Sequence, residues 1–231
     1  MEKENEARRS LNYKIAMTGA FAALSVILSV TPLGYIPMLG GAIQVTVMHV
    51  PTILAALLGG LESGVVVGFV FGLSSLLHGL MTPTTASPFF LNPLVSILPR
   101  MLFPAAVWAI YTGLCLIPRL PKTIAATVTA ALGTFIHTAL VMGAICIFYS
   151  TTYLPMVRGA IEKLVGHGDL SAFKTYCAVI AITMITNGFL EVAVAAFFAA
   201  AVFIALYAKN RGKPKVSRFE DTRDKDDSLD F

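Results

Sequence analysis

The sequence predicts an all-α integral membrane protein: a bundle of six transmembrane helices with both termini in the cytoplasm. Three observations predict it. The 231 residues are 56% hydrophobic and only 13% charged, where a soluble domain carries about a quarter charged residues. The charges gather near the chain ends and in one short internal loop at Arg119 and Lys122. Between them lie six apolar stretches, 13–31, 43–60, 63–81, 93–117, 123–149 and 175–207, each close to or beyond the roughly 20 residues that cross a bilayer. With a mean hydropathy of +0.77, this composition excludes a soluble globular domain and a disordered chain. The net charge of +4 is too small and too localised to make a nucleic-acid surface.

Residues 1–12 form a cytoplasmic tail in which Lys3, Arg8 and Arg9 alternate with Glu2, Glu4 and Glu6. The membrane domain spans 13–208. Each segment must satisfy its own backbone hydrogen bonds in lipid, so helices are the default. The alternation of a membrane barrel is absent. The first segment has no Ala-x-Ala-like site after its apolar core and runs into a Pro/Gly loop, which argues against a cleaved signal peptide. It carries Ala16, Gly19, Ala20 and Ala23, small residues that let another helix approach. Both internal packing and docking of another membrane protein fit that pattern. Gly64, Gly68 and Gly72 make a second smooth stripe, on the third segment, for which internal packing is the preferred reading.

Pro51, Pro99 and Pro104 fall inside segments. Pro99 cannot donate to the Val95 carbonyl, nor Pro104 to that of Arg100. The fourth segment is therefore expected to kink, with free carbonyls beside a charged side chain. Asn92-Pro93 has the form of an N-cap followed by proline at the first helical position. The sixth segment is longer than a bilayer requires, so its first turns are expected to protrude or lie at the interface. Residues 209–231 are polar and are expected to be a disordered cytoplasmic tail. The terminal basic clusters, with Arg119 and Lys122, outnumber Arg158, Lys163 and Lys174 on the other side. The positive-inside rule thus places both termini in the cytoplasm, and the loops near 31–43, 82–92 and 150–174 outside.

Arg100 and Glu191 are the strongly charged residues well inside the segments. An ionisable group there costs a few kcal/mol or more, so it faces a cavity or a partner. Asn187 shares a face with Glu191, one turn away. His137 is near the middle of its segment, and His49, with Gln44 about a turn earlier, and Ser74, Ser75 and His78 lie in outer halves, so most of the set falls between the outer surface and the midplane. One reading is an outward-open polar pocket in which Arg100 binds a carboxylate or phosphate and Asn187, His137 and His49 bind amide or hydroxyl groups. Glu191 then binds ligand hydroxyls or neutralises Arg100. The competing reading is a structural Arg100–Glu191 pair with packed histidines. Cys115, Cys146 and Cys177 read as packing residues rather than a disulfide or metal site. Neither His-Glu-x-x-His, nor Gly-x-Ser-x-Gly, nor a Gly-x-x-x-x-Gly-Lys-Ser/Thr loop occurs. No catalytic residue, metal or cofactor is therefore expected, and a transporter built this way needs an outside energy source or else equilibrates passively. No inverted repeat is evident, which argues against a standard secondary carrier.

Thr31-Pro-Leu-Gly-Tyr-Ile-Pro37, Met48-His-Val-Pro51, Gly68-Phe-Val-Phe-Gly-Leu-Ser-Ser75, Pro99-Arg100 and Thr186-Asn-Gly-Phe-Leu-Glu191 occur in this order. In them the chain resembles the substrate-binding (S) component of energy-coupling factor (ECF) vitamin transporters, most closely the pantothenate-type group. The resemblance implies a six-helix subunit of a bacterial-type plasma membrane that captures a vitamin from outside. It implies as partners a transmembrane coupling subunit and two cytoplasmic ATPases. It implies a lid at about Thr31–Gln44, so that Tyr35 and Gln44 join Arg100, Asn187, Glu191, His137, His49 and Ser74 as substrate-binding candidates. It makes Ala16 and Ala20, with Gly19 and Ala23 beside them, the contact with the coupling subunit. In the family, transport involves toppling of the subunit in the membrane. Two features depart from the pantothenate-type pattern: a short Met81–Asn92 loop, and His137 where an asparagine is expected. Riboflavin and folate are the alternative vitamins. A membrane scaffold with a structural Arg100–Glu191 pair is the alternative from another class, and an intramembrane hydrolase is disfavoured by the absent motifs.

Overall fold

The computed structural model describes residues 2–31, 34–38, 43–81, 87–165 and 172–210. The tail expected for 209–231 lies, beyond Asn210, outside the described residues. Helix α1 (Glu2–Val30) is 29 residues long, about 43 Å at 1.5 Å per residue, against a hydrocarbon core of about 30 Å. The excess accommodates the expected tail, which is helical from Glu2. There Arg8 pairs with Glu4 one turn away at 2.9 Å, fully in the open, where such a pair contributes little.

The second segment differs from expectation. Residues 43–46 are a strand, not helix. β1 (Tyr35–Met38) and β2 (Ile43–Thr46) form an antiparallel hairpin in the register Tyr35↔Thr46, Pro37↔Gln44. Ile43, Val45 and Val47 alternate with Gln44 and Thr46, a period of two that suits β-branched residues on a pleat. The chain passes from the hairpin into α2 (His49–Met81) within two residues. Pro51 therefore sits in the first helical turn, where its missing N–H costs nothing.

α2 carries the second and third segments as two arms. Gly60 adopts φ 80°, ψ −172°, a left-handed backbone that favours glycine. A methyl on Gly64 would lie 2.7 Å from the Ala56 Cβ, whereas residues eight apart in a continuous helix are about 12 Å apart. The arms therefore double back on each other at Gly60. Beside the turn, Lys14 Nζ meets Glu62 at 2.6 Å and Thr18 Oγ1 donates to Ser63 Oγ at 2.8 Å, tying α1 to α2.

The short helices α3 (Ser87–Phe90) and α4 (Pro93–Ser96) precede α5 (Leu98–Cys115). As expected, the Asn92 side chain accepts from the Leu94 N–H at 3.0 Å, with Pro93 beginning the helix. The glycine stripe packs inside the protein, as preferred. A methyl on Gly68 would overlap the Arg100 carbonyl oxygen, and one on Gly72 would lie 2.7 Å from the Ile97 Cα. The carbonyl to which Pro104 cannot donate thus lies against the smoothest point of α2.

α6 (Lys122–Val165) continues helically into the expected loop 150–174, after a break at Tyr149 (φ −131°, ψ 28°). The sixth segment is split into α7 (Ala172–Thr183), a π turn (Met184–Gly188) and α8 (Phe189–Asn210). Gly188 has no side chain where Met184 folds over it: an added Cβ would meet the Met184 Sδ at 2.6 Å. Met48, Ile53, Phe71, Phe103, Val107, Ala126, Ala130, Ala195 and Ala199 form one buried core shared by α2, α5, α6 and α8. The outer face is as apolar as the core: Phe189 is 73% exposed and Ile147 76%. Water does not tolerate such a surface over a whole molecule, and lipid does. Among the described residues five helices are long and apolar enough to cross a membrane. The protein is therefore an all-helical membrane bundle with one small hairpin.

Candidate substrate-binding site

Arg100 is the deepest charge described, 5% exposed. α5 carries it just past the break between α4 and α5. Its Nη1 donates to the Val95 carbonyl at 2.7 Å, the acceptor that Pro99 cannot satisfy. The backbone defect and the charge thus complete each other. The guanidinium Cζ lies 5.5 Å from the Phe71 ring centroid and 5.1 Å from that of Phe90, within cation–π range.

Phe71 links this charge to His137 and, through it, to His49. Its ring centroid is 5.7 Å from that of His137 on α6. Phe103, one turn after Arg100, meets His137 edge-on at 4.9 Å. His137 in turn stacks on His49, the first residue of α2, at 5.7 Å and 14° between planes. Five elements therefore converge: both arms of α2, then α3, α5 and α6. His49 is 0% and His137 6% exposed. Neither ring nitrogen of either residue has a hydrogen-bond partner among the described residues. A neutral imidazole holds one donor and one acceptor, and leaving a buried polar group unsatisfied costs about 1–3 kcal/mol.

Glu191 and Arg100 take separate partners. Glu191 Oε1, in the first turn of α8, accepts from the Thr46 N–H at 2.8 Å and the Thr46 Oγ1 at 2.7 Å. Asn187 lies in the π turn, and Tyr35 and Gln44 lie in β1 and β2; the side chains of these three are outside the described residues. Ser74 is buried but lines a different feature, an apolar groove of ≈ 510 Å³ between α1 and α2, with Ser29, Val30, Leu77 and His78. The structure therefore brings together Arg100, His137 and His49 from the sequence-derived set.

Phe71, Phe90 and Phe103 were not singled out in the sequence, although Phe71 lies within Gly68–Ser75 and Phe103 between the two prolines of α5. An apolar residue among apolar residues carries no signal of its own. Thr46 and the π turn were also missed. On α1, Ala16, Gly19, Ala20 and Ala23 are all exposed, and a Cβ on Gly19 would meet nothing within 4 Å. The alanine-rich face is thus not consumed by packing within the chain.

Comparison with known families agrees with the membrane bundle. No curated protein matches the chain. The model of the family "ECF transporter, substrate-specific component" matches residues 13–206, nearly the whole membrane domain. The chain belongs to the ECF transporter substrate-specific component family and is a membrane transport subunit rather than an enzyme.

Proposed function

We propose that this subunit captures a small anionic vitamin, pantothenate, from outside a bacterial-type cell and delivers it with ATP-driven partners. One observation carries the reading: two buried histidines with unpartnered ring nitrogens stack on each other, and one of them, His137, shares the Phe71 ring with a buried arginine. Arg100 receives the carboxylate in a charge-assisted bond. His49 and His137 exchange hydrogen bonds with the hydroxyl and amide groups, which removes the cost of leaving their nitrogens unsatisfied. Asn187 and the hairpin residues Tyr35 and Gln44 complete the set on the resemblance alone.

Orientation follows from the Lys and Arg clusters, which put both termini in the cytoplasm. The exposed Ala16–Ala23 face is then the contact with a transmembrane coupling subunit, itself joined to two ATPases. Close approach through small residues supports this contact in lipid.

A second reading has support of its own. Phe71 and Phe90 turn ring faces to Arg100 and Phe103 meets His137 edge-on, an aromatic lining that suits a flat conjugated vitamin such as riboflavin or folate. Equilibrium titration of the purified protein with each vitamin separates the readings. His137→Phe tests the site itself, because it keeps the ring and removes the nitrogens. The expected result is pantothenate affinity reduced about tenfold or more, one lost buried hydrogen bond being worth about 1–3 kcal/mol. Unchanged affinity with a raised melting temperature would make His137 a packing residue.

A further inference from the structure

The hairpin enters the bundle through one carboxylate. Thr46 ends β2 and pairs with Tyr35 across the hairpin. Both its N–H and its hydroxyl donate to Glu191 Oε1, 145 residues away in the chain. Glu191 is 7% exposed, so this is a buried carboxylate spent on a strand end. The next links are all backbone. The Val47 N–H donates to the Gly34 carbonyl at 3.1 Å, and the Val50 N–H to the Val47 carbonyl at 3.1 Å. Between them Met48 is fully buried in the core, and His49 follows at once. A shift of Thr46 therefore has no slack to absorb it before the first turn of α2, where His49 stacks on His137.

We propose that Glu191 is a positioning residue: its carboxylate clamps the Thr46 end of the hairpin onto α8 and thereby fixes the turn that carries His49. It does not touch the bound molecule. Both donors converge on one oxygen, so the acceptor geometry rather than the net charge does the clamping. Glutamine keeps an oxygen at that place and alanine does not. The consequence for binding rests on the reading of His49 as a site residue, whereas the clamp itself does not.

Hydrogen–deuterium exchange on the full chain in lipid nanodiscs, with no vitamin added, tests the clamp. Glu191→Ala is expected to speed exchange of the 43–50 segment about tenfold or more, with 53–57 in the core unchanged. Thr46→Val, which keeps the N–H bond, gives a smaller rise. The double variant is no faster than Glu191→Ala, and Glu191→Gln stays within about threefold of the parent. Parent-like exchange at 43–50 in Glu191→Ala, or Glu191→Gln as fast as Glu191→Ala, would overturn the clamp. If Glu191→Ala loosens the core as well, Thr46→Val decides: a rise confined to 43–50 supports the clamp and no rise refutes it. With pantothenate as probe, Thr46→Val and Glu191→Ala weaken affinity in the same direction, and the double variant binds no more weakly than Glu191→Ala. Loss in Glu191→Ala with parent affinity in Thr46→Val makes Glu191 a ligand group and overturns its positioning role. Absence of any pantothenate binding by the parent refutes the vitamin while leaving the exchange result intact.

Discussion

Pro99 and Arg100 are adjacent in sequence and solve each other's problem. The proline leaves the Val95 carbonyl without its helical donor, and the arginine supplies one at 2.7 Å. An unsatisfied carbonyl and an unpaired guanidinium are both costly in a membrane interior, so each anchors the other. This predicts an effect for a substitution that touches no ligand. Pro99→Ala gives residue 99 an N–H that competes for the Val95 carbonyl. The expected outcome is a folded protein whose vitamin affinity falls about threefold to tenfold, the worth of one ordinary hydrogen bond. Titration calorimetry measures it, and parent-like affinity would show that the carbonyl does not orient Arg100. The sequence made both halves of this arrangement legible, because proline chemistry names the orphan carbonyl and a lone arginine is conspicuous in an apolar segment. It did not show the Phe71 and Phe90 rings over the guanidinium, since phenylalanine is unremarkable in a chain this rich in apolar residues.

The elements are set by hydropathy and interrupted by glycine. Gly68 and Gly60 serve different ends and predict different failures. Gly68→Ala drives a methyl into the Arg100 carbonyl oxygen, and overpacking of that kind costs about 1–3 kcal/mol. Gly60→Ala meets no close neighbour but must hold φ 80°, ψ −172°, at about 1–3 kcal/mol. A Cβ on Gly113, inside α5, meets nothing within 4 Å, so Gly113→Ala is expected to be neutral or to stabilise by up to about 1 kcal/mol. Thermal unfolding in detergent should rank the variants Gly113→Ala, parent, then Gly60→Ala and Gly68→Ala, and a destabilising Gly113→Ala would contradict the packing described. Helices were legible because lipid leaves the backbone few alternatives. The sequence predicts helix from residue 43 because Ile43–Thr46 is apolar enough to extend the following segment, although its period of two is there to be read. The π turn at Met184–Gly188 had no sequence signal: a widened turn depends on how Met184 packs over Gly188, not on local propensity.

At the scale of the whole molecule, Arg100 and Glu191 are buried while large apolar side chains cover the outer face, as a membrane subunit requires. The exposed alanine-rich face of α1 is a partner surface on our reading, so Ala16→Leu and Ala20→Leu should block co-purification with a coupling subunit and leave vitamin affinity unchanged. Intact assembly in both variants would return that face to lipid. Charge placement at the two ends of the chain carries the proposed orientation, and family membership was legible in motifs spread over most of the membrane domain. The vitamin was not legible, because Arg100 and two histidines suit several carboxylates alike. The central claim is that a vitamin binds where Arg100 meets His49 and His137. Small-molecule mass spectrometry of purified parent and Arg100→Ala, each exposed to an equimolar mixture of pantothenate, riboflavin and folate, tests it most directly. We expect the parent to retain pantothenate and folded Arg100→Ala to retain none. An empty parent, or equal retention by both, would contradict the account.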